Sequence, residues 1–171
     1  TQWCFSPVPG CTRTVRDAAS GQPWDVDLTT GTPSLTTSGN SATGVVLWDP
    51  QLPGLPATPS PDRRYVYPFT DQGHRARCNP AVLSTGGGTR GNDADAAVTN
   101  LFAMHNRMHD WSYHLGFTED TWNMQLVNLS GSGRGGDPEL GRAQAGALTG
   151  SRNNANQSTG RDGLPPVIET S

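Results

Sequence analysis

The chain has 171 residues, 33% hydrophobic and 7% aromatic, with a formal net charge of −3. That length suits one domain with a single moderate core, and the near-neutral balance argues against a nucleic-acid binder held by phosphate contacts. Only 28 residues are Leu, Ile, Val or Phe, against 21 Gly and 14 Pro, so the chain is loop-rich and its thin core reads as part of a larger one.

Thr1 reads as the start of a processed or trimmed chain, since no charged-then-apolar leader precedes it. The cysteines, Cys4, Cys11 and Cys78, are odd in number. Cys4 and Cys11 bracket the turn-forming Phe-Ser-Pro-Val-Pro-Gly, so a small disulfide loop there would leave Cys78 to pair elsewhere. Cys78 bonded to Cys4 or Cys11 is the alternative. Both arrangements belong to an oxidising, secreted setting. There is no Cys-x-x-Cys zinc pattern.

Residues 1–92 read as turns and short strands, because Pro and Gly recur every few positions. Val45–Trp48 and Arg64–Tyr67 are the strand candidates. Val45–Trp48 is also the longest aliphatic or aromatic run, far short of the roughly 20 residues of a membrane span. Five prolines between Pro50 and Pro61 read as an extended surface loop. Gly86–Gly88 reads as a flexible joint.

At Asn92 the composition changes. Asn92 is a good N-cap, followed by Asp93 and Asp95, where carboxylates complement the helix dipole. Ala94, Ala97, Val98, Leu101, Met104, Met108 and Leu115 then recur at three-four spacing, one face of a long helix. Asn100, Ala103, Arg107, Asp110 and His114 fall opposite, with Asp110 and His114 as a weak surface pair. Gly116 ends the helix as a left-handed cap, with Phe117 folding back. Beyond it, Asn123–Leu129 reads as a short strand and Pro138–Ala147 as a short helix with Asp137 as its N-cap. Arg152–Gly160 is polar and extended, and Val167–Ser171 lies in or before a strand.

The chemistry in hand is incomplete. His105 and His109 are four apart and project together, as two ligands of one zinc would. Asn106, however, stands where a zincin motif needs its catalytic Glu. The competing reading makes both histidines hydrogen-bonded core or interface residues. His74 stands alone in a loop. No Gly-x-Ser-x-Gly elbow appears. The acidic groups Asp93/Asp95, Glu119/Asp120 and Asp137/Glu139 read as capping and loop residues rather than glycosidase pairs. Calcium around Asp93/Asp95 or Asp137 remains open, without EF-hand spacing to support it.

Two stretches carry a family resemblance. Asp95-Ala96-Ala97-Val98-Thr99-Asn100-Leu101-Phe102, then His109-Asp110-Trp111-Ser112-Tyr113-His114-Leu115-Gly116-Phe117-Thr118-Glu119, resembles the signature helix of fungalysin-type zinc metallopeptidases, a thermolysin-like group. Gly135-Gly136-Asp137-Pro138, Arg142-Ala143-Gln144, Asn153-Asn154-Ala155-Asn156 and Asp162-Gly163 resemble that family's second conserved stretch. The match covers roughly Asn92 to Gly163.

The resemblance implies a secreted zinc metalloendopeptidase and an α+β fold. Residues 1–92 would be the β- and loop-rich start of the catalytic domain. Residues 93–171 would add the long helix and a cleft-edge segment of the same domain. In this group the Asn-Asn-Ala segment is a cleft-edge strand, so Asn154 and Ala155 would bind substrate by strand addition. The family's His-Glu-x-x-His and its later Glu lie downstream of everything in this chain. No catalytic residue and no zinc ligand is therefore expected here, His105 and His109 being weak candidates. Zinc would come with a second polypeptide carrying the His-Glu-x-x-His half, made by nicking, and the two halves would share one core. Ala-Gln-Ala-Gly replaces the family's Ala-Gln-Asp-Gly, and Gln157 stands where the family has Phe, which points to a different substrate preference. A non-catalytic peptidase-like module that binds an extended peptide or a protein partner is the alternative.

Overall fold

A computed structural model describes residues 2–3, 13–75, 91–151 and 153–171. Cys4, Cys11, Cys78 and Gly86–Gly88 lie outside the described residues, and so does any disulfide among them.

The centre is a four-stranded mixed sheet under one long helix. Short strands precede it: β1 (Gln2–Trp3) pairs with β2 (Arg13–Thr14), and β3 (Val26–Asp27) pairs with β4 (Thr32–Pro33). The sheet begins at β5 (Ala42–Val46). A single helical turn, α1 (Gln72–Arg75), and the long α2 (Ala94–His114) follow. The chain then adds β6 (Glu139–Ala143), β7 (Ala155–Ser158) and β8 (Val167–Thr170). The sheet order is β5-β6-β8-β7, with β5, β6 and β8 parallel and β7 antiparallel at the edge. The fold is α+β, as the sequence implies.

β5, α2 and β6 form a strand-helix-strand unit, and its register explains how closely they pack. Gly44 of β5 pairs with Gly141 of β6, so two residues without side chains lie side by side beneath α2. A Cβ on Gly44 would come 3.1 Å from the Val98 carbonyl oxygen. One on Gly141 would come 2.8 Å from Cε1 of His105 and 2.9 Å from Cδ2 of Leu101. Val46, Ala57, Ala94, Val98 and Ala143 form one buried cluster at this contact, with Leu101 packed against it. Trp24, Ala42, Phe102 and Ala103 form a second, against Val15.

The N-terminal end of α2 departs from the sequence reading. Asp93, not Asn92, is the N-cap, with φ 54° and no side-chain cap bond. Its carboxylate accepts instead from the Thr70 backbone N–H and hydroxyl, both at 2.7 Å. Asp95 likewise accepts from the Thr58 N–H at 2.8 Å and hydroxyl at 2.7 Å. Both carboxylates thus anchor the preceding loops to the helix. The C-terminal end follows expectation: Gly116 has φ +104°, its N–H bonds the Tyr113 carbonyl, and the Phe117 N–H bonds that of Ser112, a Schellman closure.

Other expectations are corrected. Pro138–Ala147 contains β6, a central strand, rather than a helix. Glu, Leu, Arg and Ala favour helix, but tertiary pairing on both sides overrides propensity. Asn123–Leu129 forms no strand; its backbone is held by Asn40, whose side chain both donates to the Val127 carbonyl and accepts from its N–H. Arg64–Tyr67 joins no named strand, and the Tyr65 hydroxyl donates to Asp25. Val45–Val46 does close β5, while Leu47 and Trp48 lie past its end. His74 falls in α1 rather than a loop. The proline-rich segment is not confined to the surface, since Leu55 exchanges backbone bonds with Val46 and Ala57 is buried in the core.

Because α2 rests on backbone at Gly141, Gly141→Ala is expected to destabilise the protein by about 1–3 kcal/mol, as overpacking does. The urea midpoint at constant slope reads this; an unchanged midpoint would contradict the close approach.

Candidate functional site

The sheet leaves one edge open among the described residues, along β7. All four residues from Ala155 to Ser158 are exposed. Asn154 and Ser171 exchange backbone bonds, the Ser171 N–H to the Asn154 carbonyl at 2.9 Å and the Asn154 N–H to the Ser171 carbonyl at 3.3 Å. In an antiparallel ladder the next residue, Ala155, therefore turns its N–H and C=O away from β8, toward the open edge. The Asn154 side chain follows it there, with Oδ1 accepting from the Ala155 N–H at 3.0 Å. That leaves the Ala155 carbonyl and the Asn154 amide group at the edge, one acceptor and one donor next to each other.

Glu139 lies close to His105 and within electrostatic reach of His109. His105 lies beneath α2, with Nδ1 3.3 Å from Oε2 of Glu139 but not aligned for a hydrogen bond. Burial lowers the His105 pKa to about 4 and raises that of Glu139. Both groups are therefore held toward their neutral forms, as desolvation without a well-made bond dictates. His109 Nδ1 lies 3.5 Å from Asp110 and 3.7 Å from Asp17.

Asp17, His109 and Asp110 are the group among the described residues whose ligand atoms gather closely enough for a metal ion, within 4.8 Å of one another. The carboxylate oxygens already have protein donors. Asp110 accepts from the Ala18 N–H and the Trp24 indole N–H, both at 2.8 Å. Asp17 accepts from the N–H and hydroxyl of Ser20 and from the Ser41 hydroxyl at 2.6 Å. The three side chains are 3%, 8% and 17% exposed. A catalytic zinc needs an open coordination position for water, and this buried, donor-filled cluster offers none. Asp17, His109 and Asp110 therefore do not fit a catalytic zinc. The cluster clasps the segment around Ala18–Trp24 onto α2, and Asp110 is no surface partner of His114.

Glu119 and Asp137 are also occupied. Glu119 accepts from the Leu129 and Ser130 N–H groups and from the Gln125 amide, which hold its pKa down against burial. Asp137 accepts from the Gln125 and Gly163 N–H groups. The role of Asp17 had no local sequence signal, because it contacts α2 from more than ninety positions away. Only the His109–Asp110 pair within the signature helix marked this site.

The described residues form an α+β scaffold, a long helix on a mixed sheet with an exposed edge strand. Comparison with known proteins gives its family. The fungalysin metallopeptidase (M36) family matches residues 10–170, and the chain belongs to that family. Extracellular metalloproteinase 1 of Arthroderma gypseum is 48% identical over 71 residues, 42% of this chain and 11% of that protein. Extracellular metalloproteinase 2 of Arthroderma otae is 37% identical over 106 residues, 62% of this chain and 14% of that protein. Extracellular metalloproteinase 5 of Trichophyton tonsurans is 46% identical over 71 residues, 42% and 11% respectively. The matched stretch thus spans about a seventh or less of these relatives. No described helix is long and apolar enough to cross a membrane.

His105 gives a pH prediction. An unfolded imidazole protonates near 6.5, whereas the buried one resists protonation down to about 4. The unfolded chain therefore binds the extra proton between those values, and stability falls as pH is lowered through that window. Glu139, with its pKa raised, contributes the opposite slope: its stabilising share is full below the unfolded carboxyl range and is lost as pH rises through the folded pKa. His105→Gln removes the first slope alone. The stability lost by the wild type between pH 6.5 and 4 should exceed that of the variant by on the order of 3 kcal/mol. Parallel pH profiles of urea unfolding would contradict a buried neutral His105.

Proposed function

We propose that this chain is the N-terminal part of the catalytic domain of an extracellular zinc metalloendopeptidase. It would hydrolyse peptide bonds once joined to a zinc-bearing remainder, a separate or continuous polypeptide with the His-Glu-x-x-His half. The observation that carries the reading is the open edge at β7, in a chain of the fungalysin family whose relatives are named extracellular metalloproteinases.

The contribution of these residues is binding and orientation. An extended substrate would add to β7 as a fifth strand. The Ala155 carbonyl would accept from a substrate N–H, and the Asn154 side-chain amide would donate to a substrate carbonyl, which fixes the register of the scissile bond. Gln157, two residues along the same exposed strand, would favour polar contacts at its position. Zinc, when bound by the remainder, supplies the activated water and the Lewis acid. α2 would hold the sheet rigid beneath the site through the glycine contact. The names of the relatives and the cysteine usage support an extracellular setting.

Native purification followed by a denaturing gel, metal analysis and chelator-sensitive peptidase assays tests the assembly. Zinc-bearing polypeptide beyond residues 1–171 and chelator-sensitive cleavage are expected. A zinc-free chain that binds extended peptides without cleaving them would replace the reading with a binding module. In the assembled enzyme, Asn154→Ala should lower kcat/KM for peptides about tenfold, the scale of one substrate hydrogen bond, at unchanged zinc content. An unchanged kcat/KM would remove Asn154 from substrate binding.

A further inference from the structure

The connection from β7 to β8 and the loop that leads into β6 close round a cavity of about 490 Å³, lined by Arg134, Gly135, Arg161, Asp162, Gly163 and Leu164. Its walls are fixed by hydrogen bonds. The Leu164 N–H bonds the Arg161 carbonyl at 3.0 Å, which turns the chain at 161–164. The Gly163 N–H donates to Asp137 at 2.9 Å, and the Gln125 N–H donates to the same carboxylate at 3.1 Å. Asp137 is buried, so one carboxylate ties the turn to the loop before β6. Gly163 has φ +86°, and a Cβ there would come 3.4 Å from Cδ of Arg134. The stem of Arg134 thus lies across a glycine that the turn itself requires.

Two guanidinium groups line this cavity without a carboxylate of their own. Among the described residues, the arginines with a carboxylate oxygen within 4.0 Å are Arg63, Arg75 and Arg142. Arg134 and Arg161 are exposed and are not among them. Asp162 is the acidic residue of the lining, and its Oδ1 is buried without a hydrogen-bond partner. That oxygen is turned into the wall, and neither arginine reaches it. Arginine keeps its charge at every working pH, and its planar fork takes the two oxygens of a carboxylate together. A carboxylate held between the two side chains is therefore the ligand that the cavity suits.

The cavity sits where the open edge ends. Ser158 closes β7, and Gly160 and Arg161 follow directly. Leu164 folds back over that exit, since a Cβ on Gly160 would come 3.0 Å from Cβ of Leu164. Ala155 to Ser158 is about 10 Å of strand. We infer that the cavity is a subsite for a carboxylate of the extended peptide held along β7, an Asp or Glu side chain or the C-terminus; this rests on the proposed function. The carboxylate belongs to a residue at least three positions from the one bonded to Ala155, on the side toward Ser158. The chain as a whole carries a net charge of −3, so its overall field does not draw in acidic peptides. Selection is the local work of Arg134 and Arg161.

A peptide series on the full-length polypeptide tests this. Each peptide has one scissile bond and carries Asp, or Asn as its control, at one position in turn. The Asp/Asn ratio of kcat/KM is expected to reach about tenfold at one position or two adjacent ones, on one side of the scissile bond, and to stay near one elsewhere. Peptides that end at that position, as free acid against amide, tell a C-terminal carboxylate from a side-chain one. Arg134→Gln together with Arg161→Gln should bring the ratio to about twofold or less. Arg161→Gln alone, in an exposed turn, should lower it about threefold and serves where the double variant does not fold. Ratios near one for both carboxylate sources, or a preference that survives in the variants, overturn the inference. Fluorescence anisotropy of the same peptides on the chelated protein keeps the two readings apart. An active zinc enzyme blind to the carboxylate sinks only the subsite. A zinc-free, inactive protein whose binding follows the carboxylate position and both arginines keeps the subsite and sinks the peptidase reading.

Discussion

The structure depends on one close contact, the seating of α2 against the paired glycines Gly44 and Gly141. With no side chain at either position, helix and sheet meet at backbone distance. Val98, Leu101 and Phe102 can then fill the space to each side. This contact joins strands from the two ends of the chain under one helix. It sets which part of the sheet α2 covers and therefore which part it leaves open. The bare β8–β7 half, the free edge and the exposed flank of α2 all follow from that placement.

Around the contact the chain stabilises itself with buried carboxylates more than with apolar bulk. Asp17, Asp25, Asp93, Asp95, Glu119 and Asp137 are all buried, and five of the six accept bonds from backbone N–H groups of distant or looped segments. Asp25 is held instead by Arg63 and Tyr65. A buried carboxylate bonded this way locks a loop that has few apolar residues of its own, and removing it leaves donors unpaired at about 1–3 kcal/mol each. This is how a chain with so many glycines and prolines keeps long loops in place. It also explains why acidic residues that resemble candidate ligands have structural partners instead.

The long helix was legible because its signals are local: three-four spacing and a glycine at its C-terminal cap. β8 was legible as an apolar β-branched end, and the extended polar reading of 152–160 holds at Ala155–Ser158. The family motifs located the edge segment that periodicity could not. β6 was not legible, since Glu139-Leu140-Gly141-Arg142-Ala143 reads locally as helix and becomes a strand only through neighbours on both sides. The wheel also placed Asp110 on the solvent side and Met104 and Met108 on the buried side. The structure reverses both, because the segment carrying Trp24 covers one flank and α2 overhangs the sheet on the other. No local pattern reports where a distant segment will lie.

An open sheet edge is a hazard as well as a binding surface, since it templates pairing with any extended chain. β7 limits that hazard by composition: Asn156, Gln157 and Ser158 expose polar side chains along the strand, so apolar neighbours gain little from joining it. Backbone bonding remains possible, and it is insensitive to the side chains of whatever pairs there. A surface of this kind holds peptides of varied sequence in one extended geometry. Under the proposed function, selectivity would then come from the side chains that face the edge beside Asn154. Free edge and half-covered sheet are thus two consequences of one placement, that of α2 over β5 and β6 and away from β7.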